Sequence, residues 1–131
     1  ASLSGIRKEG VKLNQHEKIN YIELPAQNLI VIKAFYSQVF AFEFTDYGPE
    51  YAAFSNSGLE GGFFKVNTAL ASTTKAGSAL LVFYSSNLES TLEKVVEAGG
   101  QVAKPVFSFP GGRRFHFLDP NGNELAVWSD K

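Results

Sequence analysis

The chain has 131 residues, which suits one domain and is too short for two domains with separate cores. Its 12 Lys and Arg residues and 13 Asp and Glu residues give a formal net charge of −1, which excludes a general electrostatic attraction to nucleic acid or an anionic membrane surface. It contains no cysteine, which excludes disulfides, thiol catalysis and thiolate metal sites, while 12 Phe, five Tyr and one Trp can fill a core or line an apolar pocket. We therefore expect a small-molecule ligand, with neither nucleic acid nor membrane as a partner.

Residues 1–17 are predicted to form a polar N-terminal tail that precedes one domain, residues 18–131. The tail is rich in Lys, Arg and Glu and has no apolar segment of the kind found in secretory signals, so we expect a cytoplasmic protein. His16 lies in this tail and is interpreted as a solvated side chain. No segment of the sequence is apolar for long enough to span a bilayer as a helix.

The first half of the domain, residues 18–67, predicts a strand, a helix and three further strands. β-branched and aromatic residues predict a strand at residues 19–24, which Pro25 ends. Apolar residues then recur every three or four positions over residues 29–41, which is typical of a helix, and Asn28 precedes it as a candidate N-cap. Apolar patterns and turn signals predict the remaining strands at residues 42–45, 50–55 and 61–66.

The second half, residues 78–131, repeats this order after a connector at residues 68–77 that is rich in Ala, Thr and Ser. Asn87 follows Asn28 by 59 positions, and each precedes a predicted helix. An Asn-Gly pair at residues 121 and 122 predicts a hairpin, since these residue types accept the positive φ angles of tight turns. The elements of this half are a strand at 79–84, a helix at 88–98, a strand at 101–107 interrupted by Pro105, and strands at 113–118 and 124–128.

Two copies of a βαβββ unit indicate an α+β fold with two tandem modules in one domain. A single helix covers only one face of its sheet, so each module keeps an open face. Two curved mixed sheets set side by side would enclose a cleft between them, with both helices on the outside.

Several short motifs accompany this order of elements. They are a strand ending in proline, a Phe-Tyr pair on the first helix, a Gly-Gly-Phe-Phe strand, a Gly-Gly helix end and an Asp-Pro-Asn-Gly-Asn hairpin, at residues 22–25, 33–36, 61–64, 97–100 and 117–123. In this order and spacing the chain resembles the vicinal oxygen chelate superfamily, which includes glyoxalase I, fosfomycin and bleomycin resistance proteins and extradiol dioxygenases. It looks most like the branch of predicted enzymes related to lactoylglutathione lyase.

The resemblance implies where a metal would bind. In the metal-dependent members, a His, Glu or Gln on the first and last strands of each module binds a divalent ion that acts as a Lewis acid. The matching positions of this chain are Tyr21, Gly62, Leu80 and Ala126. None of them provides an imidazole or a carboxylate, so we expect no metal, no cofactor and no metal-dependent glyoxalase activity.

The resemblance implies which face of each strand lines the predicted cleft, and alternation along the strand then selects the side chains on that face. Phe115 and Phe117 are expected to pack under the helices. An aromatic box with a carboxylate suits a planar or cationic ligand, whereas an Arg and His pair suits an acidic one. The residues predicted to open onto one cavity between the two sheets are Tyr21, Glu23, Phe64, Arg114, His116 and Trp128.

Three functions are compatible with these residues. The first is a metal-independent small-molecule binding protein, with an aromatic or drug-like ligand as one candidate. The second is a metal-free lyase or isomerase that uses His116 and Glu23 as acid and base. The third is a structural or regulatory module with a closed cleft. The resemblance and the unprotected sheet edges also predict a homodimer.

Overall fold

The structure, a computed structural model, describes residues 14–131. The predicted tail therefore lies outside the described residues as far as residue 13, while His16 is exposed and contacts Glu17 at 3.0 Å. In chain order the elements are β1 (Tyr21–Ala26), α1 (Leu29–Phe40), β2 (Glu43–Asp46), β3 (Tyr51–Ser55), β4 (Glu60–Lys65), β5 (Leu81–Tyr84), α2 (Leu88–Glu97), β6 (Gln101–Phe109), β7 (Gly112–Leu118) and β8 (Glu124–Ser129).

The strands form two four-stranded mixed sheets with the same topology. Their orders are β1-β4-β3-β2 and β5-β8-β7-β6, and in each sheet the first pair is parallel and the others are antiparallel. Glu23 pairs with Gly62 in the first sheet, as Val82 pairs with Ala126 in the second. The predicted α+β fold of two βαβββ modules is confirmed.

Two prolines lie inside strands of the structure. The sequence predicts that one of them ends its strand and that the other interrupts its strand. Pro25 pairs with Phe64 within β1, and Pro105 lies within β6, which runs on to Phe109 through two register shifts. Both strands are at the edge of their sheet. A proline is compatible with an edge strand because its nitrogen can face the unpaired side. The prediction that Pro25 ends the first strand is therefore wrong.

Both helices begin at an asparagine N-cap. The side-chain oxygen of Asn28 accepts a hydrogen bond from the Val31 backbone N–H, and that of Asn87 accepts one from Ser90, each at 3.1 Å. Each bond satisfies a backbone donor that has no partner inside its helix. Neither helix of the described residues is long and apolar enough to cross a membrane.

Helix α1 packs against both sheets. Its Phe40 stacks on Phe83 of β5 with ring centroids 3.9 Å apart, and its Tyr36 lies 5.2 Å from Phe63 of β4. The helices and one face of each sheet therefore share a single core. The prediction that the helices lie on the outside is wrong for α1, because α1 contacts strands of both sheets.

The loop between β7 and β8 joins the two modules. Tyr36 donates a hydrogen bond to the buried carboxylate of Asp119 at 2.8 Å, and the amide of Asn123 donates to the carbonyl oxygen of Pro25 at 2.9 Å. Burial raises the pKa of Asp119, although the hydrogen bonds that it accepts from Tyr36 and Asn123 act to lower it. Among the described residues of this loop only Gly122 has a positive φ, at +89°, so the prediction of positive angles at the Asn-Gly pair is correct for the glycine alone.

Candidate functional site

Each sheet has a face on the side away from the helices, called its open face here; on the second sheet this face includes the buried residues His116 and Ala126. Phe115 and Phe117 lie on the helix side of β7, where both are fully buried, as predicted. Because side chains alternate along a strand, Arg114 and His116 lie on the opposite, open face of the second sheet. The strand pairing places Trp128 beside Arg114 on that face.

The open face of the first sheet carries a chain of hydrogen bonds. The Tyr51 hydroxyl donates to the carboxylate of Glu23 at 2.9 Å, and it lies 2.7 Å from the Tyr21 hydroxyl. Burial and these two partners raise the pKa of Tyr51 far above its ordinary value. A Cβ at Gly62 would overlap the Tyr51 hydroxyl, so only glycine leaves room for this ring.

The open face of the second sheet carries an arginine on an aromatic surface. The guanidinium carbon of Arg114 lies 5.3 Å from the ring centroid of Phe107 and 5.9 Å from that of Phe109. Trp128 lies beside them, with ring centroids 6.4 Å from Phe109 and 5.2 Å from Tyr84. Within residues 14–131, no carboxylate forms an ion pair with Arg114, and its Nε is buried without a hydrogen-bond partner.

His116 is the buried polar residue next to this surface, with an exposed fraction of 2%. Its Nδ1 lies 2.8 Å from Oε2 of Glu124. Oε1 of Glu124 accepts hydrogen bonds from the backbone N–H of Thr74 at 2.9 Å and from its hydroxyl at 2.6 Å. The other ring nitrogen of His116, Nε2, is buried and has no partner among the described residues.

Glu124 is ionised near neutral pH. Burial opposes ionisation, but the hydrogen bonds from Thr74 and His116 outweigh it and lower the pKa of Glu124 to about 2. A carboxylate only accepts hydrogen bonds, so Nδ1 of His116 carries the proton that it donates to Glu124. In the neutral ring, Nε2 then holds a lone pair.

The structure divides the six predicted site residues into two groups. Tyr21, Glu23 and Phe64 lie on the open face of the first sheet, and Arg114, His116 and Trp128 on that of the second. The cavity between the modules, of about 450 Å³, is instead lined mainly by helix-side residues such as Leu24, Phe63, Phe83 and Leu125. None of the six lines it.

The prediction of one cavity for all six residues is therefore wrong for a single chain. The two modules meet through their helix sides, so their open faces do not enclose a common space. The structure does not bring His116 and Glu23, the predicted acid and base, into contact within the chain, since His116 contacts Glu124 and Glu23 contacts Tyr51.

Sequence reasoning missed three residues that complete these clusters. Glu124 shares a strand face with Ala126 and Trp128, so alternation along β8 was a usable signal for it. Tyr51 and Thr74 gave no such signal. The partners of Tyr51 depend on strand pairing, and Thr74 lies in a connector without periodicity.

The residues at the family's metal positions do not fit a divalent ion. Tyr21 contacts the Tyr51 hydroxyl, Gly62 has no side chain, and Leu80 and Ala126 carry only apolar groups. Within residues 14–131, no group of three or more His, Asp or Glu side chains is arranged to hold a metal. This donor set lacks the imidazole and carboxylate ligands that such a site needs.

Comparison with known proteins agrees with the fold and gives the family. The model of the Glyoxalase/Bleomycin resistance protein/Dioxygenase superfamily matches residues 18–127. No curated protein sequence gives a significant match. The chain belongs to this superfamily, as the sequence motifs predict.

Solved structures of low sequence identity have the same fold. A glyoxalase-related enzyme from Fulvimarina pelagi is 21% identical, with a TM-score of 0.72 over 86% of this chain and 88% of that one. The fosfomycin resistance protein FosX from Listeria monocytogenes is 18% identical, with a TM-score of 0.72 over 88% and 94%. A lactoylglutathione lyase from Agrobacterium tumefaciens is 17% identical, with a TM-score of 0.66 over 88% and 95%.

Proposed function

We propose that the protein binds a small aromatic ligand with an acidic group on the open face of its second sheet, without a metal. One observation carries this proposal: Arg114 lies over Phe107 and Phe109, beside Trp128, with no anionic partner among the described residues. The other arginine on β7, Arg113, is paired with Glu89.

The chemistry of this surface suits such a ligand. A guanidinium binds a carboxylate or another oxyanion through two parallel hydrogen bonds, which a lysine cannot reproduce. Aromatic side chains around it offer flat surfaces for an aromatic ring. A half-buried arginine without an anion is costly, so a ligand anion would lower the free energy of this face.

Metal independence is part of the proposal. It rests on the donor set, since the four family positions offer one phenol and no imidazole or carboxylate. Titration of the protein with nickel or zinc should give no tight stoichiometric site. One such site that is lost in a His116→Gln variant would contradict this.

Trp128 is the only tryptophan of the chain, so its fluorescence reports on this surface alone. We expect benzoate to change Trp128 fluorescence saturably, and benzyl alcohol and benzylamine to do so much more weakly. Replacing Arg114 with Met removes the charge and keeps an unbranched apolar side chain. It should weaken benzoate binding roughly 10- to 100-fold.

Arg113→Met is the matched control, because Arg113 is the neighbouring residue and pairs with Glu89. It should leave benzoate affinity within about twofold, a difference well below 1 kcal/mol. Equal responses to all three compounds, or an unchanged affinity in Arg114→Met, would contradict the proposed function and favour a structural or regulatory module.

A homodimer is the second part of the proposal. β1 and β5 are edge strands with one unpaired side, and exposed Tyr21, Val82 and Tyr84 lie on them. Edge strands of this kind are commonly protected by pairing or covering, and two-fold assembly is the simplest way to do so. Sedimentation should show a dimer at micromolar concentration; a monomer alone would contradict this.

A metal-free lyase or isomerase is the second candidate function. The contact between His116 and Glu124 favours it, because a carboxylate that orients an imidazole is a common acid-base arrangement. In this candidate function Glu124 would act with His116 in place of Glu23, because His116 contacts Glu124 and Glu23 contacts Tyr51.

A further inference from the structure

We infer that the cavity between the two modules is a second binding site, which takes a neutral, apolar molecule of the size of a substituted naphthalene. It is separate from the site of the proposed function, because Arg114, Phe107 and Trp128 do not line it. The two sites also differ in the ligand that they favour. Arg114 suits an anion, whereas no charged side chain lines the cavity in the part of the chain that the structure describes.

The edge strands of both sheets line this cavity. Ile22 and Leu24 of β1 contribute to it from the first module, and Leu81 and Phe83 of β5 contribute from the second. Leu59, just before β4, lines it as well. The cavity thus depends on the way in which the two modules meet, and neither sheet forms it alone.

Its volume is that of a ligand site. Protein interiors are packed as densely as crystals of small organic molecules, so voids larger than a water molecule are few. An apolar cavity of about 150 Å³ accepts benzene, and small-molecule sites in proteins commonly measure about 300 to 1,000 Å³. The cavity between the modules measures about 450 Å³. It therefore has room for two fused rings with a substituent.

The polar groups of the lining select against a polar ligand. The cavity is lined by three side-chain hydroxyls, and each of them donates a hydrogen bond within the chain. The bonds run from Tyr36 to Asp119 at 2.8 Å, from Ser57 to the carbonyl oxygen of Leu59 at 2.8 Å and from Tyr84 to Asp130 at 2.6 Å. An ionised ligand would lose its hydration here and gain no partner of opposite charge, whereas a neutral apolar ligand loses little.

The cavity can be reached from solvent. Val82 and Tyr84 line it and are also 46% and 51% exposed, so it extends to the protein surface at these residues. Water in such a space finds few hydrogen-bond partners, and its displacement by an apolar molecule is favourable.

N-phenyl-1-naphthylamine tests this inference, because it is neutral and its fluorescence rises in apolar surroundings. The matched probe is 8-anilino-1-naphthalenesulfonate, which has the same rings and an added sulfonate. Both are titrated into Arg114→Met, since the sulfonate suits the arginine of the proposed function. We expect the neutral probe to bind saturably, with the affinity that it has for the wild type, and the sulfonate to bind about tenfold more weakly.

A larger side chain in the cavity should compete with the neutral probe. Leu59→Phe should weaken its binding about fivefold or more, because the added ring takes up part of the volume. Leu70→Phe is the matched control, the same substitution at an exposed leucine that does not line the cavity, and should stay within about twofold of the wild type. Val82→Phe at the exposed rim makes the same test if Leu59→Phe does not fold.

Three results would overturn the inference. The first is equal affinity of the two probes for Arg114→Met, and the second is neutral-probe binding that neither Leu59→Phe nor Val82→Phe weakens. The third is the absence of saturable binding, the result expected if a second copy of the chain fills the cavity.

The inference and the proposed function can fail separately. Benzoate binding at Trp128 without binding of the neutral probe would leave only the proposed function standing. Binding of the neutral probe that Leu59→Phe weakens, without benzoate binding, would leave only the inference standing.

Discussion

The open faces of the two sheets have the same strand pairing and different chemistry. Arg114 pairs with Trp128 in the second sheet at the position where Tyr51 pairs with Phe64 in the first. Glu23 of the first sheet corresponds to Val82 of the second in the same way. The first face therefore has Tyr51 and Glu23 at the positions where the second face has Arg114 and Val82.

The difference lies in which polar groups find partners within the chain. On the first face, Tyr21, Tyr51 and Glu23 bind one another. On the second face, Arg114 and Nε2 of His116 are without partners among the described residues. The same backbone thus carries one face whose polar groups are paired within the chain and one where Arg114 and Nε2 of His116 are not, and the proposed function places the ligand on the second face.

The largest expected effect comes from removing the carboxylate beneath the second face. Glu124→Leu leaves Thr74 and His116 without their acceptor in a site where Glu124 is only 9% exposed. We expect the free energy of unfolding to fall by about 3 to 4 kcal/mol. Urea denaturation measures this, with Glu23→Leu on the exposed first face as the matched variant, at less than about 1 kcal/mol. Equal losses would contradict the comparison.

Acid should destabilise the protein through the same group. The pKa of Glu124 is about 2 in the folded chain, against about 4.3 for an unfolded glutamate. A lowered pKa contributes stability above the unfolded value, and that stability is lost as the pH falls from about 4 to about 2. The loss should reach about 2 to 3 kcal/mol in the wild type and be absent in Glu124→Gln. Parallel pH profiles of the two proteins would contradict this.

The third largest effect is expected at Gly62, on the open face of the first sheet. Gly62→Ala places a methyl group against the Tyr51 hydroxyl, so the ring must move and its hydrogen bonds must break. We expect a loss of about 1 to 2 kcal/mol in the free energy of unfolding. In a Tyr51→Ala background the same change should cost clearly less, because the overlapping ring is gone. Additive losses in this double-mutant cycle would contradict the packing described here.

The smallest effect is expected at the exposed ion pair between Arg113 and Glu89. Exposed pairs contribute little to stability, since the side chains lose entropy and solvent screens their charges. Arg113→Met should therefore move the urea midpoint far less than Glu124→Leu does. A shift of similar size in both variants would contradict the expectation that the buried Glu124 contributes more to stability than the exposed ion pair.

The elements and their faces were predictable from the sequence, because they follow from local periodicity. The repeat of 59 positions gave the two modules, and alternation placed Arg114 and His116 opposite Phe115 and Phe117. The position of Pro25 and Pro105 inside strands was not predictable from local sequence. A proline is tolerated in an edge strand, and only the strand order shows that β1 and β6 are edge strands.

The arrangement of the modules was not predictable in the same way. It depends on how far the aromatic face of α1 extends, and Phe40 reaches Phe83 of the other module. Long-range partners such as Thr74 and Glu124 likewise depend on tertiary contacts that leave no periodic signal. For this reason the six site residues were selected on the correct strand faces but placed in one cavity.

A crystal structure with benzoate tests the central claim most directly. We expect the benzoate carboxylate to bind the guanidinium of Arg114 and the benzoate ring to lie against Phe107, Phe109 or Trp128. Benzoate bound only in the apolar cavity between the modules, or only beside Tyr51 and Glu23 on the first face, would contradict it.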